Sequence, residues 1–504
     1  MATPRSAYHA RCLSFLGACI IAGGSLFAQD GVLDLTFSGD GQLGFLPQIP
    51  DVITTEILET DGKIFAFLGA VNNTPASYIL QLNSDGSFNT AFDGDGILEL
   101  PGLDFYDAAL SHDGTEIYLL SSDTSGYLLA SMELDGGWLQ PYTSVGGPAG
   151  TGFIKMLVDD EGRIVIGGGG TNNGEGCVQV SRYHADFTLD ITFGNNGTAY
   201  SPPAQMCYPL MEIDNLGRIV LGSYNPGCGG LWRFNADGTF DTSFNYTLDL
   251  MPFIQDNWII DFAIAQDNSI YLQPNTYAWP SYLFKLQENG ALDESFGNGG
   301  HIILVDPEPL WYTAPDELLI DPNGGLIVMA QAYAPDGYIS GKYLTRLDAN
   351  GVIDPDFTPG IQEIDDNGYD LRIHFHCATL QGDGKVLSMD MVVKWLNGEL
   401  HGYAPLITRF NNSKGAVVAV EETGPRVEVV EAFPNPTSGM VTLLTGDRGS
   451  LRNATACITN SVGAMVMQEN LINEHIDLSA LSPGVYFCLV KHAGGSLHAR
   501  IVKE

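Results

Sequence analysis

The chain reads as all-β: a seven-bladed β-propeller followed by a small β module at the C-terminus. Three observations predict it. A short motif with paired turn residues and a closing aromatic recurs at blade-sized spacing, a second set of tight turns falls between its copies, and the last strand of the array lacks the motif that should follow it.

The motif is clearest in Asp30-Gly31-Val32-Leu33-Asp34-Leu35-Thr36-Phe37, Asp237-Gly238-Thr239-Phe240-Asp241-Thr242-Ser243-Phe244 and Asn289-Gly290-Ala291-Leu292-Asp293-Glu294-Ser295-Phe296. Residues 85–92 keep the frame with Asn89 for the second Asp, and residues 350–357 keep it with Pro355 at a variable position. Two copies are degraded: residues 186–193 lack the glycine, and residues 135–142 retain Asp135-Gly136 and a terminal Tyr142. Asp-Gly or Asn-Gly supplies the positive φ of a tight hairpin, which an ordinary side chain resists. The closing ring is a natural plug between neighbouring sheets.

An alternating strand precedes each copy, as in Tyr78-Ile79-Leu80-Gln81-Leu82-Asn83 and Leu231-Trp232-Arg233-Phe234-Asn235. Between copies lies a second hairpin, turning at Asp61-Gly62, Asp113-Gly114, Glu161-Gly162, Leu216-Gly217, Asp267-Asn268, Asn323-Gly324 and Asp383-Gly384. Two hairpins per unit make four strands, which is one blade. The final strand, Pro405-Leu406-Ile407-Thr408-Arg409-Phe410-Asn411-Asn412, has no motif behind it, and the missing half stands at residues 30–37. The expectation is that residues 30–37 form a strand paired with residues 405–412, so that both termini complete one sheet and no edge is left open. An open solenoid would want polar caps instead.

These repeats resemble the delta-60 family of propeller-like repeats, with its Asp-Gly-x-Leu-Asp-x-x-Phe core, across residues 29–412. The resemblance implies the propeller fold. It brings no catalytic residues, because the family has none in general that could be carried over.

Composition agrees with the repeat reading. A chain of 504 residues is too long for one ordinary core, and 60 glycines with 16% charged residues suit short strands and tight turns. The 60 acidic against 22 basic residues give a net charge of −38, which repels phosphate backbones and anionic lipid. Nucleic-acid partners are thereby disfavoured, cations remain welcome, and solubility alone accounts for the acidity. Residues 1–28 read as a signal peptide, with Arg5 and Arg11 before an apolar stretch and Ala28 at the cleavage point. The alternative, a lipoprotein box at Leu16-Gly17-Ala18-Cys19, is opposed by apolar residues that continue past Cys19. No later segment is long and apolar enough to span a bilayer as a helix. Cleavage after Ala28 leaves Cys177, Cys207, Cys228, Cys377, Cys457 and Cys488 without a metal-type spacing. Spacing leaves their pairing open, with Cys207–Cys228 and Cys457–Cys488 the first pairs to test.

Residues 413–427 read as a linker of Gly, Pro and acidic residues without a core pattern. Residues 428–504 open on Pro434-Asn435-Pro436-Thr437-Ser438-Gly439, pass through Asn460-Ser461-Val462-Gly463, and reach Leu481-Ser482-Pro483-Gly484-Val485-Tyr486-Phe487 before a last hairpin. This order is similar to the type A sorting domain of type IX secretion, with Pro434, Asn435, Pro436, Gly439, Pro483, Gly484 and Tyr486 as its motif residues. One departure is the missing Asp ahead of Gly463. The resemblance implies an immunoglobulin-like β-sandwich, the type IX machinery as partner, and a secreted or outer-surface location in a Gram-negative bacterium. It further implies removal of the module on the way out, with release or attachment to surface lipopolysaccharide.

Each candidate site has a plainer alternative. His374 and His376 alternate on one strand, which would put both imidazoles on one face for a metal, but no third ligand stands at informative spacing. Ser38-Gly39-Asp40-Gly41, Asp93-Gly94-Asp95-Gly96 and Asn195-Asn196-Gly197 suit calcium, yet they fall where the repeat needs turns. Tyr277, Trp279 and Tyr282, with Trp311 and Tyr312, could stack on a sugar or fill blade interfaces. No nucleophile elbow, phosphate loop or dinucleotide fingerprint is found, and no cofactor is identified beyond calcium as an option. The sequence therefore favours a non-enzymatic binding or adhesion propeller whose ligand is a glycan, protein or cation. The alternative is a secreted polysaccharide hydrolase or lyase, and a third reading makes the repeats a spacer.

Overall fold

A computed structural model describes residues 30–504 except 45, 47–48, 50, 71–75, 124–125, 146–153, 205–208, 224–229, 247–258, 275–280, 305–311, 322–323, 334–338, 356, 358–361, 364–369, 397–398, 413–427, 430, 434–436, 445–453, 461–464, 472–474, 493–494 and 504. The expected signal peptide and linker, Tyr277, Trp279, Trp311, Cys207, Cys228 and Pro434 to Pro436 lie outside the described residues, as do the side chains of Tyr312, His374 and His376. The chain divides into two compact units, residues 1–416 and 417–504.

The first unit is a seven-bladed propeller. Its sheets are antiparallel meanders, as in Val52–Thr60, Lys63–Ala70, Ala76–Asn83 and Ile97–Pro101 of blade 1. The first strands of blades 1 to 7 are Val52–Thr60, Asp104–Leu110, Ile154–Val158, Pro209–Ile213, Ile259–Ile264, Tyr312–Ile320 and Asp370–Leu380. Each touches the first strand of the next blade, and the seventh touches the first, so these are the inner strands of a closed ring. All seven hairpins between first and second strands turn where expected, with φ from +62° at Asn268 to +87° at Gly384.

The apolar cores lie between blades rather than within them. Phe65 and Phe67 of blade 1 meet Phe105 and Ile117 of blade 2, and Ile327 and Met329 of blade 6 meet Val386 and Phe410 of blade 7. A similar cluster fills every other seam, including blade 7 to blade 1, where Leu387 and Ile407 pack with Ile57 and Leu68. Each sheet buries both faces, which is why its middle strands read as near-continuous apolar runs.

Closure differs from the expectation in one respect. Residues 30–37 are a chain of turns, not a regular strand, because Gly31 takes φ +84° and Asp34 folds back to accept from the Thr36 amide and hydroxyl. They still dock on the last strand, through the Leu33–Phe410 bridge and through Gly31 and Asp34 amides donating to Asn411 O and Arg409 O, each at 2.8 Å. The regular outer strand follows at Gln42–Gly44, paired with Leu406 to Thr408. Five of the other six motif copies bridge in the same way, for example Leu82–Phe88 and Phe234–Phe240, while residues 135–142 run into the regular strand Trp138–Ser144.

The second unit is a two-sheet sandwich. Glu428–Val429, Gly495–Lys503, Gly484–His492, Thr455–Asn460 and Met465–Asn470 form one sheet, and Glu431–Phe433, Met440–Leu444 and His475–Asp477 the other. Val441 and Ile476 of the small sheet share a core with Ile458, Val490 and Ile501 of the large one. Register sets Cys457 opposite Leu489 and Cys488 opposite Ile458, so the two cysteine positions fall on opposite faces of the sheet. The pairing suggested by sequence is therefore not favoured by the strand geometry.

Candidate functional site

Two rows of residues, one from each blade, carry the chemistry of the propeller. The outer row explains the motif. On the third strand of each blade stands Gln81, Ser131, Arg182, Arg233, Lys285, Arg346 or Arg409. Arg182 Nε and Nη2 grip Asp190 Oδ2 at 2.8 Å, Arg233 holds Asp241 in the same way, and Arg346 and Arg409 hold Asp354 and Asp34. These guanidinium groups lie 4.4–4.9 Å over the closing rings of Phe193, Phe244, Phe357 and Phe37. Asp34, Asp190 and Asp241 also accept from a hydroxyl two residues on. Burial works to raise the Asp190 carboxyl, but Thr192 and Arg182 hold it down at about 2.

The same side chains reach forward to the next blade. Arg182 donates to Ala236 O, Arg233 to Glu288 O, Lys285 to Ala349 O, Arg346 to Asn412 Oδ1, Arg409 to Ser84 O and Gln81 to Leu134 O. Arg346 also pairs with Asp30 at 3.2 Å, so the forward contact crosses the chain ends. The aromatic plugs run the same way: a Cβ on Gly238 would meet the Gly194 backbone at 2.5 Å and the Phe193 ring at 3.0 Å, and one on Gly86 would meet Phe37 at 2.8 Å. The motif glycine is thus required twice, for φ and for the ring of the preceding blade.

The two degraded copies compensate for each other. Blade 2 has Ser131 where others carry the long side chain, and its Tyr142 lies against Trp138 of its own outer strand. No Phe arrives from blade 2, and blade 3 carries Phe187 in place of the glycine, with φ +66° and its ring against Tyr118. Gln140 Nε2 makes the forward contact there, to Ala185 O at 2.9 Å.

The inner row lies on the first strands. Register pairs Glu56 with Phe67, Asp107 with Leu120, Lys155 with Gly167, Leu210 with Gly222, Asp261 with Gln273, Glu317 with Met329 and Cys377 with Met389, the same rung in all seven blades. A β-bulge immediately precedes each of the four carboxylates and re-aims it. Asp107 Oδ2 accepts from the Met156 amide and Asp261 Oδ2 from the Leu318 amide, both at 2.7 Å and both in the following blade. Lys155 Nζ stands 3.4 Å from Asp107 Oδ1 and 3.4 Å from Glu56 Oε2, joining blades 1, 2 and 3.

Burial pushes Glu56 up to about 7, with the Asp107 charge adding and Lys155 opposing. Glu212, two residues past Leu210, is accessible to solvent but ringed by protein, and that enclosure also pushes it up to about 7. Asp107 is raised by burial against the pull of Lys155. Burial opposes the Lys155 charge, yet Asp107 and Glu56 outweigh it and its pKa is raised. Burial, with Glu56 and Glu317 near, drives the Cys377 thiol well up. A fully buried ion pair, Lys342 Nζ to Asp390 Oδ1 at 2.5 Å, links blades 6 and 7 beside this ring.

None of the seven inner-row residues was among the site candidates read from sequence. Tyr282 packs on its own blade, edge-on to His301 at 5.6 Å and tilted to Phe284 at 6.2 Å. A bulge falls between His374 and His376, which stand opposite Met391 and Asp390; the simple alternation expected to put both on one face does not hold. No group of three metal-ligating side chains is found among the described residues. The Asp/Gly clusters act as turns: Asp40 and Asp95 each accept from the amide two residues on, at 2.9 Å.

In the second unit, Thr437 donates its amide to Val502 O and takes the Gly439 amide on Oγ1, while a Cβ on Gly439 would meet Ser479 Oγ at close range. Tyr486 is buried and donates to Ser482 O at 2.7 Å, which pins the turn containing Pro483 and Gly484. The sorting-motif residues that are described therefore shape the start and the final hairpin of the sandwich.

Residues 431–504 match a family described as a secretion system C-terminal sorting domain. Residues 59–92, 162–193 and 217–244 match the repeat described as a domain of unknown function (DUF5122) β-propeller. No curated protein matches the sequence. Among solved structures, PorZ, a surface component of the type IX secretion system of Porphyromonas gingivalis, is 16% identical with a TM-score of 0.40, the match covering 89% of this chain and 59% of PorZ. This chain thus spans about three fifths of the PorZ chain. A fungal alcohol oxidase of the AA5 family in complex with copper is 12% identical over 92% of this chain and 98% of its own, with a TM-score of 0.43. The polysaccharide lyase Uly1 is 12% identical over 70% and 89%, at 0.40. No helix among the described residues is long and apolar enough to cross a membrane. The chain carries DUF5122 propeller repeats and a type IX sorting domain, the mark of proteins secreted by that system and anchored at, or released from, the cell surface.

Proposed function

We propose that the propeller is a non-enzymatic binding or adhesion module that takes its ligand, a glycan, protein or cation, at the inner ring. The observation that carries this reading is the inner row itself: ionisable groups converge where the seven first strands meet, and they vary from blade to blade. Variation at one rung of an otherwise repeated scaffold is what a particular ligand would require, whereas packing alone is served by repeating one residue. Immobilised mature protein, screened against glycan and cationic-peptide arrays, should give hits that weaken in Glu212→Gln and Lys155→Met. Hits unaffected by both changes would move the ligand elsewhere.

A second reading, a polysaccharide hydrolase or lyase, is favoured by one fact. A carboxyl that titrates near 7, as Glu56 and Glu212 do, is poised as a general acid. Incubating array hits with the protein and looking for shortened or unsaturated chains separates the two readings.

A further inference from the structure

We propose that the inner ring is a proton-operated coupling between blades: at alkaline pH Lys155 is shared between Glu56 and Asp107, and on acidification Glu56 and Glu212 take up protons and leave Lys155 on Asp107 alone. The geometry gives the ring its two states. Lys155 Nζ is equidistant, at 3.4 Å, from carboxylates of blades 1 and 2, but those carboxylates are not equally held. Asp107 is fixed from three sides, by Lys155, by the Met156 amide and by the Ala108 amide at 3.1 Å. Glu56 has Lys155 and the neighbouring Ile57 amide at 3.0 Å. The less supported partner gives way first, because each hydrogen bond to a carboxylate favours its charged form.

Among the described residues, the charges facing the two glutamates are few. Glu56 lies within electrostatic reach of Lys155, Asp107, the Cys377 thiol and Glu212, and Glu212 within that of Lys155 and Glu56. Cys377 in turn faces Glu317 and Asp390. Asp390 has Lys342 as its own partner, so Lys155 stands alone against Glu56, Asp107 and Glu212, and proton uptake is the way this group lowers its internal repulsion. Lys155 stays charged throughout, since burial is outweighed by Asp107 and Glu56. The direction for stability follows from linkage. The folded chain binds protons at Glu56 and Glu212 that the unfolded chain releases, between the ordinary value of 4.5 and about 7. Stability should thus rise as pH falls through that window and level off below it.

The test uses the full mature chain. An infrared difference spectrum between about pH 8 and pH 6 should show a protonated-carboxyl C=O band appearing on acidification, absent in Glu56→Gln/Glu212→Gln. The melting temperature should rise over the same step and do so less in the double variant. Lys155→Met should move the carboxyl band to higher pH, an effect that a purely structural lysine would not produce. A wild-type spectrum without the carboxyl band would overturn the proposal even if no variant folded. A band that Lys155→Met leaves at the same pH would overturn the role given to the lysine.

Discussion

The outer and inner rows are both seven-membered, and both carry links from one blade to another, yet they are built on opposite plans. The outer row favours dedicated partners: Arg182 and Arg233 each have their own aspartate, their own aromatic ring and a carbonyl in the following blade. The inner row gathers carboxylates around a single lysine and leaves them to compete for it. Dedicated pairing produces strongly acidic carboxylates and a rigid seam; shared pairing produces carboxyls that titrate near neutrality. One row holds the ring together, and the other keeps its charge adjustable.

The most damaging change should be to the outer row where the chain ends meet. Deleting residues 30–44 removes the turns docked on Phe410, the strand Gln42–Gly44 and the Asp30 partner of Arg346. The propeller should lose its cooperative unfolding transition in calorimetry, whereas deleting the sorting module from residue 417 onward should leave that transition in place. Next in size, Arg233→Met leaves Asp241 charged and buried, and should cost about 3–5 kcal/mol in urea unfolding. Arg233→Met with Asp241→Leu should recover much of that loss, because no orphaned charge remains.

A smaller effect separates the two duties of the motif glycine. Gly94→Ala meets open space at φ +89° and should cost about 1 kcal/mol, the penalty for a side chain in left-handed backbone. Gly238→Ala has nearly the same φ, +85°, but must also displace the Gly194 backbone and the Phe193 ring, so its cost should exceed the first by about 1–3 kcal/mol. Equal losses would mean that the aromatic seam is looser than drawn. The mildest effect sets the rows against each other through pH. Asp190 is held at about 2 against an ordinary 3.8, so its contribution is complete above 3.8 and is lost as pH falls toward 2. Glu56 acts in the opposite sense, destabilising above about 7 and ceasing to do so by 4.5. The melting temperature should peak between these windows, and Glu56→Gln should flatten only the alkaline side.

The outer row was legible from sequence because it is repeated. Asp-Gly turns, the aromatic plug and the four-strand unit all follow from residues that recur in frame. What the sequence reading missed there is the arginine, which stands on the preceding strand and belongs to the motif only once the strands are paired. It also took residues 30–37 for a strand, since an Asp-Gly start followed by apolar residues looks extended until Asp34 folds back on Thr36. The inner row stayed hidden for the reverse reason. Glu56, Lys155, Leu210 and Cys377 share no chemistry, and bulges shift their phase, so periodicity cannot pick them out. A usable signal did exist: each lies at a near-constant distance before the aliphatic residue that opens the second strand, Ile64, Ile117, Ile164, Ile219, Ile270, Leu326 or Val386. The aromatic and histidine candidates drew attention by residue type alone, and the bulge between His374 and His376 shows how a single extra residue undoes an argument from alternation.

The forward reach of the outer row also has a consequence in time. Every arm but the last points to the blade made next, so a chain emerging from synthesis ends, until the array is complete, on an arm whose target does not yet exist. Arg409 is the last of them, and its target is Ser84, near the beginning. The final latch can form only when the whole array has been made, and it joins residues far apart in sequence, the kind of contact that forms late in folding. Completion of the ring is therefore a single terminal event, and a chain cut short at any earlier blade has no means of closing.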